Sequence, residues 1–376
     1  MPDTSFTVVI LGGYGFFGQR LAKRLAHDAS LHVVLAGRDP AAAQNLAGRL
    51  QTTNGARMSA ARVDATDPGL STVLRGIGAR AVVHTAGPYQ GQSYNVAEAC
   101  IRAGAHYLDL ADARDFVAGI GALDTRAKLR DVLVVSGAST LPGLSSAVVD
   151  DLAKDLRAVD AIDIGISPAN KTDRGLGTVR AILSYCGVPI RAWRDGHAQT
   201  VYGWLGLERY RYPAPVGARW LSYCDVPDLA LFPMRYPGVN AVTFRAGLEL
   251  PILHFGMSAM ALCTRVGLVR EWSRYAVALK QVSDLLQRFG SDAGAMHVEV
   301  RGEDRAGAPV LRRWILVARN DDGPTVPTLA STALIHKLAC GEIAARGAMP
   351  CVGLLTLSDF VAQMSGLAID ITRSDA

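Results

Sequence analysis

The chain lacks the residue patterns that build stapled or metal-bound folds. Its six cysteines, Cys100, Cys186, Cys224, Cys263, Cys340 and Cys351, lie far apart and form no C-x-x-C pair. Neither a disulfide framework nor a zinc site is therefore expected, and no metal is assigned. Charge of one sign is not concentrated anywhere: 39 basic residues are scattered among 34 acids, for a net charge of +5. No basic strip interleaved with aromatics is present, which argues against nucleic acid as a partner. No basic and apolar leader precedes the first strand near Phe6, so no signal peptide is expected, and a cytoplasmic location with reduced thiols is. Internal repeats and low-complexity tracts are missing as well.

One long apolar run does occur, from Leu248 to Val269, about the length of a membrane span. Glu249, Pro251, His254 and Arg265 interrupt it and would be costly in hydrocarbon. A buried or interface helix is the expectation, and a membrane is not an expected partner. Trp272, Tyr275, Leu279, Val282 and Leu286 then repeat at helical spacing through Arg270 to Arg288.

The most informative feature is V-V-I-L-G-G-Y-G-F-F-G, residues 8–18, a β-branched strand running into a glycine cluster that opens a helix. Gly13, Gly15 and Gly18 have the G-x-G-x-x-G spacing of a dinucleotide-binding turn. Such a turn needs one glycine for tightness, one for backbone approach to a pyrophosphate and one for close packing of helix on strand. The helix N-terminus then presents unpaired N–H groups to phosphate. A second apolar strand, Leu31 to Ala36, ends in Gly37-Arg38, where an NAD-type site usually carries an acid. Arginine there suits a 2′-phosphate, so NADP is the expected cofactor. The competing reading leaves Arg38 in solvent and turns Asp39 toward a ribose.

Strands and helices continue to alternate: helix Pro40–Gln51, strand Met58–Val63, helix Asp67–Gly76, strand Ala81–His84, helix Asn95–Ala103, and strands Tyr107–Leu110 and Val132–Ser136. That grammar means a parallel sheet covered on both faces. Ligands of such sheets lie at the carboxyl ends of the strands. The expected cofactor contacts are Gly12, Gly13, Tyr14, Gly15, Phe16, Phe17 and Gly18 in the first turn and Gly37 and Arg38 after the second strand. Asp64 and Ala65 follow the third strand, and Thr85, Ala86, Gly87 and Pro88 the fourth.

Near Pro142 the pattern changes. A helix over 144–156 and a strand over 162–167 precede a helix over 178–186 with Thr178 as its cap. Trp193, Tyr202, Trp204, Tyr210, Tyr212, Trp220 and Tyr223 then crowd together, as an apolar pocket wall or as ordinary core. Strands over 297–301 and 310–318 read as a hairpin, and 331–345 and 356–364 as helices. The fold class expected is α/β, a Rossmann-type parallel sheet with a second α+β substrate and dimerisation domain. Domains are placed at 1–141, 142–330 and 331–376, the last as helices packing back on the first. The aromatic region and the apolar run exceed what a modest domain hides, so a homodimer is expected.

Candidate proton-handling residues are Tyr89, Asp112, Lys171 and His197. Tyr89 follows Gly87-Pro88 at a strand end; its competing role is an aromatic wall. Asp109 and Asp112 end the next strand, where capping is the usual task of an acid. Lys171 is the one lysine between Lys154 and Lys280, against a reading as surface charge, and His197 stands near Arg191 and Arg194, against a structural role. No tyrosine has a lysine four residues on, which disfavours the short-chain dehydrogenase arrangement.

The glycine turn, then Gly87-Pro88-Tyr89, then Ala99-Cys100-Ile101-Arg102-Ala103-Gly104-Ala105-His106-Tyr107-Leu108-Asp109 resemble the NADP-binding domain of the saccharopine dehydrogenase family. Gly175-Leu176-Gly177-Thr178 and Leu338-Ala339-Cys340-Gly341-Glu342 resemble that family's second half. The resemblance implies a Rossmann domain joined to an α/β substrate and dimerisation domain. It also implies hydride transfer between nicotinamide and a C=N or C=O bond, or a C=C bond, of a small molecule. Where the family pattern continues with a small residue, glycine and glutamate, this chain has Ala111-Asp112-Ala113, so no role is borrowed for that glutamate. Two other readings stand beside it: a non-catalytic NADP(H) redox sensor, and a membrane-surface reductase of a lipid-like substrate that uses the apolar run.

Overall fold

The structure, a computed structural model, describes residues 5–375. The described residues divide into two compact units, 5–144 with 325–363 and 145–324 with 364–375.

The first unit holds strands β1 (Phe6–Leu11), β2 (Leu31–Gly37), β3 (Arg57–Arg62), β4 (Ala81–His84), β5 (His106–Asp109) and β6 (Leu133–Ser136). Between them run α1 (Phe16–Leu25), α2 (Pro40–Leu50), α3 (Leu70–Ile77), α4 (Asn95–Ala103), α5 (Arg114–Ala118) and α6 (Asp124–Leu129). A later segment adds α12 (Leu329–Ala339), β15 (Gly347–Pro350) and α13 (Leu357–Gln363). The seven strands form one parallel sheet in the order β15-β6-β5-β4-β1-β2-β3. The strands are apolar on both faces because helices cover both: Val8, Val9, Ile10, Val82, Val83, Leu133 and Val134 are fully buried. Strand order reverses between β1 and β4, the switch point at which sheets of this kind open a crevice.

The second unit begins with α7 (Ser145–Ala153) and β7 (Ala158–Ser167). It continues through α8 (Leu176–Ser184), β8 (Pro189–Arg194), β9 (His197–Tyr202), β10 (Glu208–Arg211), β11 (Ala218–Tyr223), α9 (Asp228–Arg235) and β12 (Ala241–Ala246). Helices α10 (Pro251–Arg265) and α11 (Ala276–Leu285), the hairpin β13 (Gly294–Glu303) and β14 (Pro309–Ala318), and β16 (Ile369–Asp375) complete it. Its nine-stranded mixed sheet runs β10-β11-β12-β7-β13-β14-β16, with β8 and β9 attached to β12. Alternation separates the two faces: Ile162, Ile164, Val298, Val300, Trp314 and Leu316 are buried, while Asp163, His297, Glu299 and Arg313 point the other way.

Three local expectations are corrected. Thr178 caps nothing; α8 starts two residues earlier from Gly175, without a side-chain cap. The helix expected over 331–345 ends at Ala339, and Gly341 follows with a positive φ of 71°. The chain's end is not helical: β16 pairs antiparallel with β14, from Ile369 opposite Ala318 to Asp375 opposite Arg312. Among the described residues no helix is long and apolar enough to cross a membrane. The apolar run is α10, 15 residues long with Pro251 in its first turn.

Candidate dinucleotide site and a second polar cluster

At the end of β1 the backbone turns sharply enough to need Gly12 at φ +79°. Gly15 N–H donates to Gly12 O at 2.8 Å, closing the turn from which α1 rises. Gly18 sits so close beneath Gly12 that a Cβ there would collide with the Gly12 carbonyl, so α1 packs on the strand end only because this residue is glycine. The spacing of the glycines is as read from the sequence, but the left-handed position is Gly12. The first helical bond at this end is Gln19 N–H to Gly15 O, and no side chain caps α1. The N–H groups of Phe16, Phe17 and Gly18 thus precede the helical ladder at its positive end. Thr85, after β4, fixes the turn from the other side of the crevice, donating from Oγ1 to Leu11 O at 2.8 Å and Gly12 O at 3.2 Å. The Thr85-Ala86-Gly87-Pro88 loop is held in turn by Gln92, whose Nε2 donates to Ala86 O and Pro88 O.

At the end of β2, Tyr14 lies over Gly37, where an added Cβ would come within 2.5 Å of its ring. The Tyr14 hydroxyl accepts from Asp39 N–H at 2.9 Å. Asp39 does not reach toward a ribose; its Oδ1 accepts from Ala41 and Ala42 N–H at 3.0 Å and caps α2. Arg38 is exposed, beside Asp64, and Arg62 ends the neighbouring strand in register with Gly37. Asp64 binds Thr66 through both its N–H and its hydroxyl, which hold the carboxyl below its usual range, helped by the fields of Arg38 and Arg62. Ala65 packs partly buried against the core beneath. Arg62 was not singled out from sequence; its position at a strand's carboxyl end was the available signal.

The acids and phenols at the ends of β4 and β5 have a different use from the one expected. Tyr89 is buried and its hydroxyl donates back to His84 O at 2.6 Å, while its ring packs against His84 and Phe116. Burial first, and Asp109 second, push its phenol well above the ordinary value. Tyr89 thus packs as an aromatic wall with its hydroxyl already given to a backbone carbonyl. Asp109 is fully buried and its Oδ1 accepts from Ala111 N–H, Ser136 hydroxyl and Gly137 N–H, stitching β5 to the turn after β6. Burial raises its carboxyl to about 6 against those hydrogen bonds. Asp112 is half-buried, 3.4 Å from Gln90 Nε2.

In the second unit, Lys171 and His197 both stand at the surface. Lys171 is exposed in a loop whose backbone, not whose ammonium, is engaged: its N–H donates to Ser291 O and its carbonyl accepts from Gln287. His197 lies exposed at the start of β9, its Nδ1 3.0 Å from Asp195 O and its Nε2 3.2 Å from Gln199. Both are surface groups.

A polar cluster that sequence reading missed lies on the second sheet. His297 is buried, with Nδ1 2.9 Å from the Tyr212 hydroxyl and Nε2 3.3 Å from Asp163 Oδ2. The Tyr210 ring stacks on its imidazole at 3.7 Å, and the Tyr210 hydroxyl donates to Glu299, which also accepts from Arg313 at 2.6 Å. Arg245 joins Asp163 to Glu208, each at 2.9 Å. Gly165 leaves the room that the His297 ring occupies. Burial works to raise the Asp163 carboxyl, but His297, Arg245 and Arg301 together bring it below its ordinary value. The cluster ties the β10–β11 hairpin across strands β7 and β13. The links from His297 to Tyr212 and Asp163 and from Glu299 to Tyr210 span 85, 134 and 89 residues, so no local spacing announced the cluster. Among the described residues, no group of His, Cys, Asp or Glu is placed to hold a metal ion.

A parallel sheet in the order 3-2-1-4-5-6, with a glycine turn and an uncapped helix at its reversal, defines a dinucleotide-binding protein of the Rossmann class. Residues 8–133 match the family model described as "Saccharopine dehydrogenase NADP binding domain". Residues 8–133 are therefore an NADP-binding domain of saccharopine dehydrogenase type, and the dinucleotide of this domain is NADP. Among solved structures the chain is similar to an apo, histidine-tagged saccharopine dehydrogenase (L-Glu forming) from Saccharomyces cerevisiae. That match has TM-score 0.71 and 15% identity, over 98% of this chain and 100% of that one. An amine dehydrogenase from Mycobacterium smegmatis matches with TM-score 0.50 and 12% identity over 93% and 95% of the two chains. At those identities the likeness is one of fold. No curated protein matches in sequence.

Proposed function

We propose that this protein is a cytoplasmic NADP-dependent oxidoreductase that exchanges hydride between nicotinamide and a C=N or C=O bond, or a C=C bond, of a small molecule. The observation that carries the reading is that Arg38 and Arg62 stand together beside Asp64 at the carboxyl ends of β2 and β3, while Asp39 is committed to capping α2. In this reading the N–H groups of Phe16, Phe17 and Gly18 hold the pyrophosphate. Arg38, with Arg62 beside it, takes the 2′-phosphate, and the loop from Thr85 to Pro88 borders the crevice. NADP supplies the hydride chemistry when bound, and the protein supplies placement and a proton. Asp112, half-buried three residues beyond β5, is the group we assign to proton handling, since the Tyr89 hydroxyl is given to His84 O and Lys171 and His197 lie exposed in the second unit.

The loss of those three candidates favours one alternative, an NADP(H) sensor without turnover. Following NADPH absorbance while adding imines, carbonyls and enones separates the two. Oxidation with at least one of them supports the enzyme, and tight NADPH binding with none supports the sensor. A preference for NADH would remove the cofactor assignment for both.

A further inference from the structure

Between α8, α10 and α11 the second unit encloses a cavity of about 320 Å³, lined by side chains that include Ile182, Leu183, Met257, Met260, Leu279 and Leu286. That is on the order of ten water volumes and within the range of small-molecule sites. The charged residues of its lining are Arg174, Lys280 and Asp284, and the last two are spent on each other. Lys280 donates to both carboxylate oxygens of Asp284, at 3.0 and 2.9 Å, and to Asp173 at 2.9 Å. Glu249, whose field reaches Arg174, is itself held by Arg219 at 3.2 Å and by the N–H groups of Asn170 and Ser291.

Arg174 is what remains. It is half-buried, and its guanidinium makes a single hydrogen bond, from Nη2 to Ala169 O at 3.3 Å. Among the described residues no carboxylate forms an ion pair with it, and its Nε and Nη1 have no partner and are not sealed from solvent. Loss of hydration outweighs the fields of Glu249 and Asp284 and lowers its pKa from the ordinary value. A guanidinium stays charged all the same, with N–H donors in a fork that fits a carboxylate. An unmatched cation on the wall of an apolar cavity calls for a ligand with a chain and one negative charge.

We propose that this cavity binds an aliphatic monocarboxylate, with its chain among the leucines and methionines and its carboxylate on Arg174. A neutral head group leaves the guanidinium unmatched, and a phosphate brings nearly two charges to one free cation with Asp284 close by. Methionine suits such a wall, since its unbranched thioether adapts to chains of different shape.

The probe is octanoate, titrated calorimetrically at neutral pH into the full-length protein without cofactor, so that the outcome is independent of the dinucleotide reading. Saturable binding is expected, with 1-octanol weaker by about ten-fold or more. Hexanoate, two methylenes shorter, should be weaker by about fifteen-fold. Arg174→Met keeps an unbranched side chain and removes the charge; it should weaken octanoate by about ten-fold or more and leave octanol unchanged. Gly256→Phe should weaken both, since this residue lines the cavity and a Cβ there meets no heavy atom within 4 Å. Leu262→Glu, on the outer face of α10, should change neither. No saturable octanoate binding overturns the site. So do Arg174→Met and Gly256→Phe proteins, folded by circular dichroism, that bind octanoate as the wild type does, or binding lost through Leu262→Glu instead. Octanol binding as tightly as octanoate overturns the anionic head group, octyl phosphate binding more tightly overturns the carboxylate, and hexanoate binding equally overturns the place of the chain.

Discussion

Arg38 is a single side chain on which cofactor choice can be tested. It is exposed at the end of β2 with Arg62 on the adjacent strand, and a charge-assisted bond to a phosphate is worth roughly 1.5–3 kcal/mol. Arg38→Ala should therefore weaken NADPH binding by about 10- to 150-fold in a fluorescence titration and leave NADH nearly unchanged. Equal losses for both would place the 2′-phosphate elsewhere. Asp109 gives a second test, in stability. Its buried carboxyl sits near 6, above the ordinary 3.8, so its contribution to folding is fully present below about pH 4 and is lost as pH rises through 6. Buried His84 and half-buried His106 work oppositely: loss of hydration lowers both to about 4 from 6.5, so their contribution is present above 6.5 and lost as pH falls through 4. Asp109→Asn removes only the first effect. On going from pH 7 to pH 4 the variant should lose roughly 2–3 kcal/mol more stability than the wild type in urea unfolding. Identical pH dependence in the two would mean that Asp109 is not perturbed.

The elements of the first unit were legible from sequence because their signals are local. β4 and α4 fall at the expected residues, 81–84 and 95–103, where a β-branched run and a helical repeat meet glycine boundaries. Gly37 before Arg38 marked the end of β2, and the turn after β1 needed its glycines for reasons visible in order. The second sheet was poorly legible. Strands β8 to β11 alternate exposed charge with half-buried aromatics, and β16, Ile-Asp-Ile-Thr-Arg-Ser-Asp, is a polar edge strand defined by its partner β14 and not by its own pattern. The His297 cluster is the extreme case, since its pairing exists only once β7, β13 and the β10–β11 hairpin have met. That hairpin can be tested as an element. Tyr212→Phe keeps the ring and removes the partner of His297 Nδ1, so unfolding should show a loss of about 1 kcal/mol. An unchanged midpoint would mean that stacking by Tyr210, and not the hydrogen bond, holds the hairpin.

At the scale of the whole molecule, the question is what covers α10. One side of this helix carries the cavity wall; the other, with the residue that follows it, presents Phe255, Leu262 and Val266, spaced at intervals of one or two helical turns. Leu262 is 56% and Val266 71% exposed, and Leu268, Val282, Leu285 and Phe289 nearby in sequence are exposed as well. Apolar surface of that extent is costly in water and usually marks an interface. We propose a second copy of the chain as the occupant, since the same apolar patch on two copies can meet across a two-fold axis and two-fold dimers are the commonest assemblies. Replacing Leu262 and Val266 together by glutamate puts charge at the centre of such a contact. The wild type should sediment as a dimer at micromolar concentration and the double variant as a monomer, with NADPH binding retained because the first unit is untouched. A wild type that is monomeric at every concentration removes the dimer. A wild type that pellets with vesicles of neutral phospholipid, and a double variant that does not, would assign the same face to a lipid surface and revive the reading of a reductase that works there.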